Sequence, residues 1–299
     1  MRILVSGASG LIGSALVRHF RADRHDVVRL VRGESQRTED EVSWDPEADR
    51  LAPADLEGFE AVVHLAGENV ANARWTARQK AKIRDSRIRG TRLLSAALAG
   101  ISRPPRVLAS ASAVGYYGGR GDEPLSEQSP AGSGFLADVC RDWEAATEPA
   151  AEAGIRVVRF RLGMVLAGRG GALARMLPGF RWGLGGRLGD GRQYVSWITL
   201  PDVVGAVDHL LRRDTLEGPV NLVAPNPVTN ARFTRSLGRL LHRPTILPVP
   251  EIALRTLFGQ MADELLLASI RAVPRQLLDS GYRFHDPELD SALRHVLKT

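Results

Sequence analysis

The stretch Met1-Arg-Ile-Leu-Val-Ser-Gly-Ala-Ser-Gly-Leu-Ile-Gly13 opens the chain and carries three glycines. The apolar run Arg2 to Val5 predicts a buried strand, and apolar residues recur at helical spacing from Leu11 onward. A glycine-rich turn between a strand and a helix lets a pyrophosphate approach the backbone and rest on the positive helix end. These flanks favour a dinucleotide site over an ordinary tight turn. The predicted contacts are Gly7, Ser9, Gly10, Leu11, Ile12 and Gly13.

The second predicted strand, Asp26 to Arg32, bears on which dinucleotide binds. It begins about twenty residues after the turn, where an acidic residue at its end would hold the ribose hydroxyls of NAD. Val31 and Arg32 stand there instead, and arginine complements a 2′-phosphate. The prediction is therefore NADP; a solvated strand end is the alternative for Arg32, and the nearby Glu34 leaves NAD open.

Composition places the chain among ordinary globular proteins. Its 299 residues are 44% hydrophobic and 25% charged, and the single cysteine, Cys140, excludes an internal disulfide framework. Strand one starts at the N-terminus, which leaves no room for a signal peptide, and no apolar run reaches membrane-spanning length. A cytoplasmic protein without membrane contact is the expectation.

The net charge of +6 raises the question of nucleic acid binding. Nearly all the basic residues are arginines, and those of the strongly basic segment 74–92 surround a predicted helix without forming one stripe. No nucleic-acid partner is predicted. The seven histidines are scattered and show no metal-ligand spacing, so no metal site is predicted either.

Predicted strands and helices alternate through the first half of the chain, which indicates a parallel sheet with helices on both faces. Strands are predicted at 60–66, 106–112, 155–161, 194–198 and 218–223, and helices at 76–99, 135–153, 172–181 and 201–213. Ligands bind outside the carboxyl ends of such strands, which adds Leu65, Ala66, Gly67, Gly163 and Met164 to the predicted cofactor contacts.

The chain is therefore predicted to be an α/β protein, a Rossmann-type doubly wound parallel sheet with a small, mostly helical C-terminal cap. The predicted NADP-binding domain spans 1–224 and includes a cap-forming insert at about 164–194. The predicted cap spans 225–299, where prolines break several short helices and a substrate cleft would be closed.

The chain resembles the extended short-chain dehydrogenase/reductases. More narrowly, it resembles an atypical branch of NAD(P)-dependent epimerase/dehydratase-like proteins that carry a C-terminal domain of unknown function. The resemblance covers essentially the whole chain and rests on several stretches: the glycine-rich turn, His64-Leu-Ala-Gly-Glu-Asn69, Ser86-Arg87, Ser112 to Gly118, Trp143-Glu144, Ser196-Trp-Ile198 and Pro227 to Pro244. Arg87 stands where relatives usually have asparagine, which implies a role near the cofactor.

The resemblance also shows a departure. Typical members carry Tyr-x-x-x-Lys on the helix after the fifth strand, four residues before a glutamate that Glu144 matches. Leu136 and Cys140 then occupy the tyrosine and lysine positions, and residues 119–160 contain neither residue type. The usual acid/base pair is absent, because neither side chain present can transfer the proton or hold the ribose.

Ser112, Tyr116 and Glu68 remain as predicted catalytic residues. Ser112 and Tyr116 match the superfamily's Ser-x-x-x-Tyr spacing, and Tyr117 could also offer a phenol; packing beneath the cap is the alternative for both tyrosines. Glu68 follows a strand end and could carry a proton, or could pair with Arg87. Trp182, Arg187, Arg192 and Trp197 are further candidates for substrate contact, with core packing as the alternative for both tryptophans.

Two functional hypotheses follow. The first is an NADP(H)-dependent, epimerase-like oxidoreductase for a small polar or nucleotide-sugar-like substrate. The second is a non-catalytic NADP(H)-binding sensor or scaffold, which the missing pair supports. Related folds often pair helices into a dimer, and the sequence leaves monomer and homodimer open.

Overall fold

A computed structural model describes residues 1–33 and 39–298. Glu34, the residue that left NAD open, lies outside these ranges. In chain order the strands are β1 (Arg2–Ser6), β2 (Asp26–Arg32), β3 (Glu41–Trp44), β4 (Ala61–His64), β5 (Val107–Ala113), β6 (Pro124–Leu125), β7 (Arg156–Leu162), β8 (Met164–Leu166), β9 (Tyr194–Val195), β10 (Trp197–Thr199), β11 (Gly218–Leu222), β12 (Val228–Thr229) and β13 (Arg271–Ala272). The α-helices are α1 (Leu11–Ala22), α2 (Ala77–Ala99), α3 (Phe135–Ala145), α4 (Glu148–Glu152), α5 (Gly171–Arg181), α6 (Leu200–Arg212), α7 (Asn230–Leu240), α8 (Glu251–Phe258), α9 (Arg275–Asp279) and α10 (Leu289–Lys298).

The main sheet of the described residues has the order β11-β7-β5-β4-β1-β2-β3. The pairs β1–β2, β2–β3, β1–β4 and β4–β5 are parallel, as the alternation of strands and helices predicts. The chain runs outward from β1 through β2 to β3, then returns to the other side of β1 with β4. The switch point of this Rossmann-type sheet therefore lies between β1 and β4, where such folds bind ligands.

The described residues group into two compact units. The first contains 1–112, 139–160 and 207–219, and the second contains 113–138, 161–206 and 220–299. The central strand β4 of the first unit is fully buried along its length, as expected for a parallel sheet that is covered on both faces. The predicted boundary at 224/225 stays a prediction.

The second unit has its own core. Trp197 and Phe233 are fully buried there, and they pack with Leu173 of α5 and Leu293 of α10. Helices α7 to α10 make the C-terminal region mostly helical, as predicted. Among the residues that the structure describes, none of the helices combines the length and apolarity needed to cross a bilayer.

Two sequence predictions about secondary structure were wrong in detail, and one strand was missed. The predicted helix 135–153 is two helices, because Pro149 cannot continue the hydrogen-bonding of α3 and instead lies in the first turn of α4. The predicted strand 194–198 is interrupted at Ser196, whose hydroxyl donates to the Ile270 carbonyl and accepts from the Ala272 N–H. The edge strand β3 was not predicted at all.

Candidate cofactor and catalytic site

The predicted cofactor residues of the first unit follow one edge of the sheet. The strand order β5-β4-β1-β2 places Ser112, the Leu65–Gly67 loop, the Gly7 turn and Arg32 side by side at the carboxyl ends of adjacent strands. Neighbouring strands are about 4.8 Å apart, so the row spans three strand spacings. The structure brings these residues together without any contribution from the second unit.

The glycines of the first turn leave no room for side chains. Gly7 has φ +64°, and a Cβ there would lie 2.9 Å from the Leu65 carbonyl carbon. A Cβ on Gly13 would lie only 2.2 Å from the Gly7 carbonyl oxygen, because α1 begins directly against the turn. Gly10 caps α1 and has no side chain that could satisfy the first N–H groups of the helix. Those groups, from Leu11 and Ile12 onward, are therefore available to an anion.

Arg32 lies at the exposed end of β2, one residue before Gly33, whose φ of +89° turns the chain out of the sheet. The preceding Val31 is half-buried and pairs with Ser43 of β3. Burial lowers the pKa of the His64 side chain, and the Arg32 charge lowers it further. Arg32 can therefore meet a phosphate that leaves the sheet edge on the β2 side.

The loop after β4 is held by two residues of α2. Ser86 Oγ accepts the Glu68 N–H at 2.9 Å, and Arg87 Nη1 donates to the Glu68 carbonyl at 2.8 Å. The Arg87 guanidinium lies beside Gly67 and over the Trp143 ring, with 5.0 Å between its Cζ and the ring centroid. Burial lowers the pKa of Arg87, while nearby Cys140 and Glu68 raise it. Arg87 thus brings a positive charge to the predicted cofactor loop and orders its backbone.

A buried chain of hydrogen bonds supports both loops, and sequence reasoning missed it. Ser6 Oγ accepts the Leu65 and Ala66 N–H groups at 2.9 and 3.2 Å and lies 2.7 Å from His64 Nδ1. Since two donors occupy its lone pairs, the Ser6 hydroxyl donates to Nδ1, which leaves the His64 proton on Nε2. That nitrogen lies 3.0 Å from Thr91 Oγ1, which also accepts the Trp143 indole N–H. The chain joins β1, β4, α2 and α3.

We expect His64 to make stability depend on pH. Burial lowers its pKa from 6.5 to about 4. Between these values the unfolded chain binds the proton and the folded chain does not, so the free energy of unfolding is full above about 6.5 and falls as the pH drops toward 4. The loss from this group is about 3 kcal/mol. Denaturant titrations at several pH values between 4 and 6.5 measure the free energy of unfolding. It should fall with decreasing pH in the wild type, and the part of this fall that is due to His64 should be missing in His64→Gln.

The exposed His242 offers a matched control for this experiment. His242→Asn keeps a residue type that tolerates its positive φ of 53° and should retain the wild-type slope. A His64→Gln variant with the wild-type slope would contradict the assignment of a neutral, buried His64.

Ser112 and Glu144 form a buried pair at the end of β5. Ser112 Oγ donates to Glu144 Oε1 over 2.6 Å, and both residues are less than a tenth exposed. This length is typical of a charge-assisted bond between a hydroxyl and a carboxylate. Glu144 served in the sequence only to align the missing tyrosine and lysine. Because 32 positions separate Glu144 from Ser112, nothing in the sequence indicated that the two side chains are in contact.

The two candidate tyrosines, Tyr116 and Tyr117, both belong to the second unit and have different surroundings there. Tyr117 is fully buried; it donates to Asn221 Oδ1 and accepts from Arg161, and burial raises its pKa to about 12. The prediction that Tyr117 could act as a catalytic phenol is therefore wrong, and the packing alternative holds. Tyr116 is half-buried, with the Arg161 guanidinium 3.4 Å above its ring centroid.

The remaining predicted contacts also lie in the second unit. Gly163 is tightly packed, since a Cβ there would lie 2.6 Å from the Ser196 carbonyl oxygen, and Met164 begins β8. Trp197 is completely buried and donates its indole N–H to the Asn226 carbonyl, so its prediction as a substrate contact is wrong. Trp182, in contrast, is 82% exposed.

A glycine turn at the switch point of a parallel sheet, with a basic residue ending β2, defines a dinucleotide-binding α/β protein. The chain belongs to the NAD dependent epimerase/dehydratase family, whose model matches residues 3–223. Residues 249–296 match a domain of unknown function (DUF1731). Both matches agree with the resemblance inferred from the sequence.

Individual relatives are similar over the whole chain. An epimerase family protein of Mycobacterium tuberculosis, MT2273, is 48% identical over 98% of this chain and 97% of its own. The crystal structure of human epimerase family protein SDR39U1 with NADPH is 33% identical, with a TM-score of 0.91 and complete coverage of both chains. A nucleoside-diphosphate sugar epimerase from Corynebacterium glutamicum is 37% identical with a TM-score of 0.81, over 99% of this chain and 58% of that one.

Proposed function

We propose that this protein binds NADP(H) along the carboxyl edge of its sheet and catalyses hydride transfer to or from a small polar or nucleotide-sugar-like substrate. The observation that carries the proposal is the glycine turn packed against the β4 loop at the switch point, in line with Arg32 and Ser112. The structure of human SDR39U1 with NADPH, similar over its whole length, supports the choice of cofactor.

The residues of the first unit fit such a dinucleotide. The pyrophosphate would rest on the N-terminus of α1, where Ser9, Leu11 and Ile12 present backbone N–H groups. Gly10, whose own N–H donates to the Gly7 carbonyl, would let the pyrophosphate approach the turn closely. Arg32 would pair with the 2′-phosphate, and the loop of Leu65, Ala66 and Gly67 would contact the cofactor beside the charge of Arg87. Gly163 and Met164 remain proposed cofactor contacts. When bound, the nicotinamide supplies or accepts a hydride.

Ser112 and Glu144 can handle the proton that accompanies this hydride. The Ser112 proton is already directed at Glu144, so its oxygen is free to accept a proton from a substrate hydroxyl while its own passes to Glu144. In the reverse direction the carboxyl returns a proton to Ser112, and Ser112 donates to a substrate carbonyl. The pair would thus take over the proton transfer that the absent tyrosine and lysine perform elsewhere.

Tyr116 and Glu68 remain proposed participants. The Glu68 carboxylate is half-buried, accepts from Gln79 Nε2 at 3.4 Å, and sits on a backbone fixed by Ser86 and Arg87. The Tyr116 ring is held by Arg161. Each could contribute a further group that accepts or donates the proton of the substrate oxygen.

The experiment is a substrate screen followed by matched variants. A panel of nucleotide sugars and small hydroxy or keto compounds is incubated with protein and NADP⁺ or NADPH, with cofactor fluorescence and proton NMR as readouts. With the substrate found, we expect Ser112→Ala and Glu144→Gln to lower kcat by about 10²–10⁴-fold while leaving the Kd for NADPH unchanged.

Ser110→Ala is the matched control. Ser110 lies two residues earlier on β5, is equally buried, and its hydroxyl has no hydrogen-bond partner among the described residues. It should keep wild-type kcat. If Ser112→Ala and Glu144→Gln also keep it, the proposed proton transfer is wrong.

A non-catalytic sensor or scaffold is the second candidate, favoured by Leu136 and Cys140 at the usual catalytic positions on α3. If this second function is correct, NADPH should bind and the protein should convert no compound of the panel. The titration and the screen together therefore separate the two functions.

A further inference from the structure

Two histidines and an aspartate meet on the C-terminal part of the second unit. Asp286 Oδ2 lies 2.9 Å from His295 Nδ1 and 3.4 Å from His285 Nδ1. The two imidazole rings are 4.9 Å apart between centroids. One donor atom from each of the three residues falls within 4.8 Å of the others.

The backbone under this cluster is fixed from within the core. Asp202, at the start of α6, is 1% exposed and accepts the His285 N–H at 2.7 Å and the Asp286 N–H at 2.9 Å, one on each carboxylate oxygen. The third residue, His295, is carried by α10, whose Leu289 and Leu293 are buried in the second core. Both halves of the cluster are therefore held before any ligand arrives, which is what a metal site requires.

The donor chemistry suits a borderline divalent ion. Zn²⁺ takes imidazole nitrogen and carboxylate oxygen at about 2.0–2.2 Å, which places neighbouring ligands of a tetrahedral site about 3.3 Å apart. The two Nδ1–Oδ2 distances, 2.9 and 3.4 Å, already bracket that separation. The His285 side chain is 67% exposed and that of Asp286 only 5%, so the ion can enter from solvent onto a buried carboxylate.

We propose that His285, Asp286 and His295 bind a divalent transition metal ion, with Zn²⁺ as its representative and water at the open position. On binding, each imidazole moves its proton from Nδ1 to Nε2, so that both Nδ1 lone pairs and Asp286 Oδ2 face the ion. The metal ties residues 285–286 to α10, within the region that matches the domain of unknown function. The sequence predicted no metal site, because the ligands form a His-Asp pair and a single distant histidine.

Calorimetric titration of metal-free, untagged full-length protein with zinc chloride tests the proposal. Wild type should bind one equivalent in a saturable step, and free zinc at a hundredfold excess over Kd should raise Tm by roughly 5 °C. His285→Ala should weaken binding by at least about tenfold, which corresponds to the loss of one ligand. Because His285 is largely exposed, this variant keeps the fold.

Asp286→Asn provides a second variant and should abolish the saturable step. His242→Asn removes an exposed histidine outside the cluster and should bind zinc as wild type does. The proposal is overturned if wild type shows no saturable binding, or if His285→Ala and Asp286→Asn both bind like wild type. In either case the cluster is a hydrogen-bonded group of side chains only.

Discussion

Gly13→Ala should weaken NADPH binding by about 100-fold or more. The added Cβ would lie 2.2 Å from the Gly7 carbonyl oxygen and 2.8 Å from Ala8 Cα, and both contacts are with backbone that cannot move without opening the turn. Displacing α1 from the turn removes several charge-assisted bonds to the pyrophosphate, each contributing about 1.5–3 kcal/mol, and tenfold in Kd corresponds to about 1.4 kcal/mol. Fluorescence titration with NADPH measures the effect.

Gly179→Ala is the matched control for this substitution. Gly179 also lies inside a helix, α5, and beyond its chain neighbours and the backbone of its own helix a Cβ there would meet no described atom within 4 Å. The variant should bind NADPH as wild type does, with stability unchanged or slightly raised. If Gly13→Ala folds and binds NADPH with wild-type affinity, the pyrophosphate does not rest on this turn.

Arg32→Glu is expected to have the second large effect, on selectivity. Losing a charge-assisted bond to the 2′-phosphate costs about 1.5–3 kcal/mol, so the Kd for NADPH should rise roughly 10- to 100-fold. NADH carries no 2′-phosphate, and its Kd should change little or improve. Titrating wild type and variant with both cofactors measures the change in preference.

Arg18→Glu controls for the change in net charge. Arg18 is exposed on α1, in the same strand–helix–strand unit, and lies away from the carboxyl edge of the sheet. It should leave the preference for NADPH intact. An equal loss of NADPH affinity in both variants would mean that Arg32 acts only through the overall field of the protein.

Local periodicity was enough to predict most of the sheet. The second strand was predicted with the boundaries that β2 has, Asp26–Arg32, because it reads as an apolar run between polar ends, interrupted only by Arg29. The strand β3 was missed for the opposite reason. Glu41–Trp44 is a short edge strand, with Trp44 alone fully buried, and four residues carry too little pattern to detect.

The candidate cofactor residues could be proposed from the sequence because their signal is local, a glycine spacing beside a strand end, and their contact with the cofactor stays a prediction. The Ser6–His64–Thr91–Trp143 chain and the Ser112–Glu144 bond were not, since they join residues 27 to 58 positions apart that only the folded sheet brings together. Trp197 illustrates the same limit. It was predicted on a strand as a candidate substrate contact, with core packing as the alternative, and its ring fills the core of the second unit.

The absence of the tyrosine and lysine has a physical counterpart in the structure. Cys140 is buried, so this part of α3 presents a small apolar side chain at the position where the resemblance to typical short-chain dehydrogenase/reductases implies a lysine. The positive charge near the loop comes instead from Arg87 on α2, held against Trp143. The candidate site therefore differs from the typical arrangement in two ways. Its cation comes from α2, and its proposed proton-transferring group is the hydrogen-bonded pair Ser112–Glu144.

The central claim is that the row of β1, β2 and β4 loops is an NADP(H) site. Calorimetric titration of the wild-type protein with NADPH and with NADH tests it most directly. We expect one equivalent of NADPH to bind, at least about tenfold more tightly than NADH, because only NADPH carries the phosphate that Arg32 can pair with. Failure of both cofactors to bind, or equal affinity for the two, would contradict the claim.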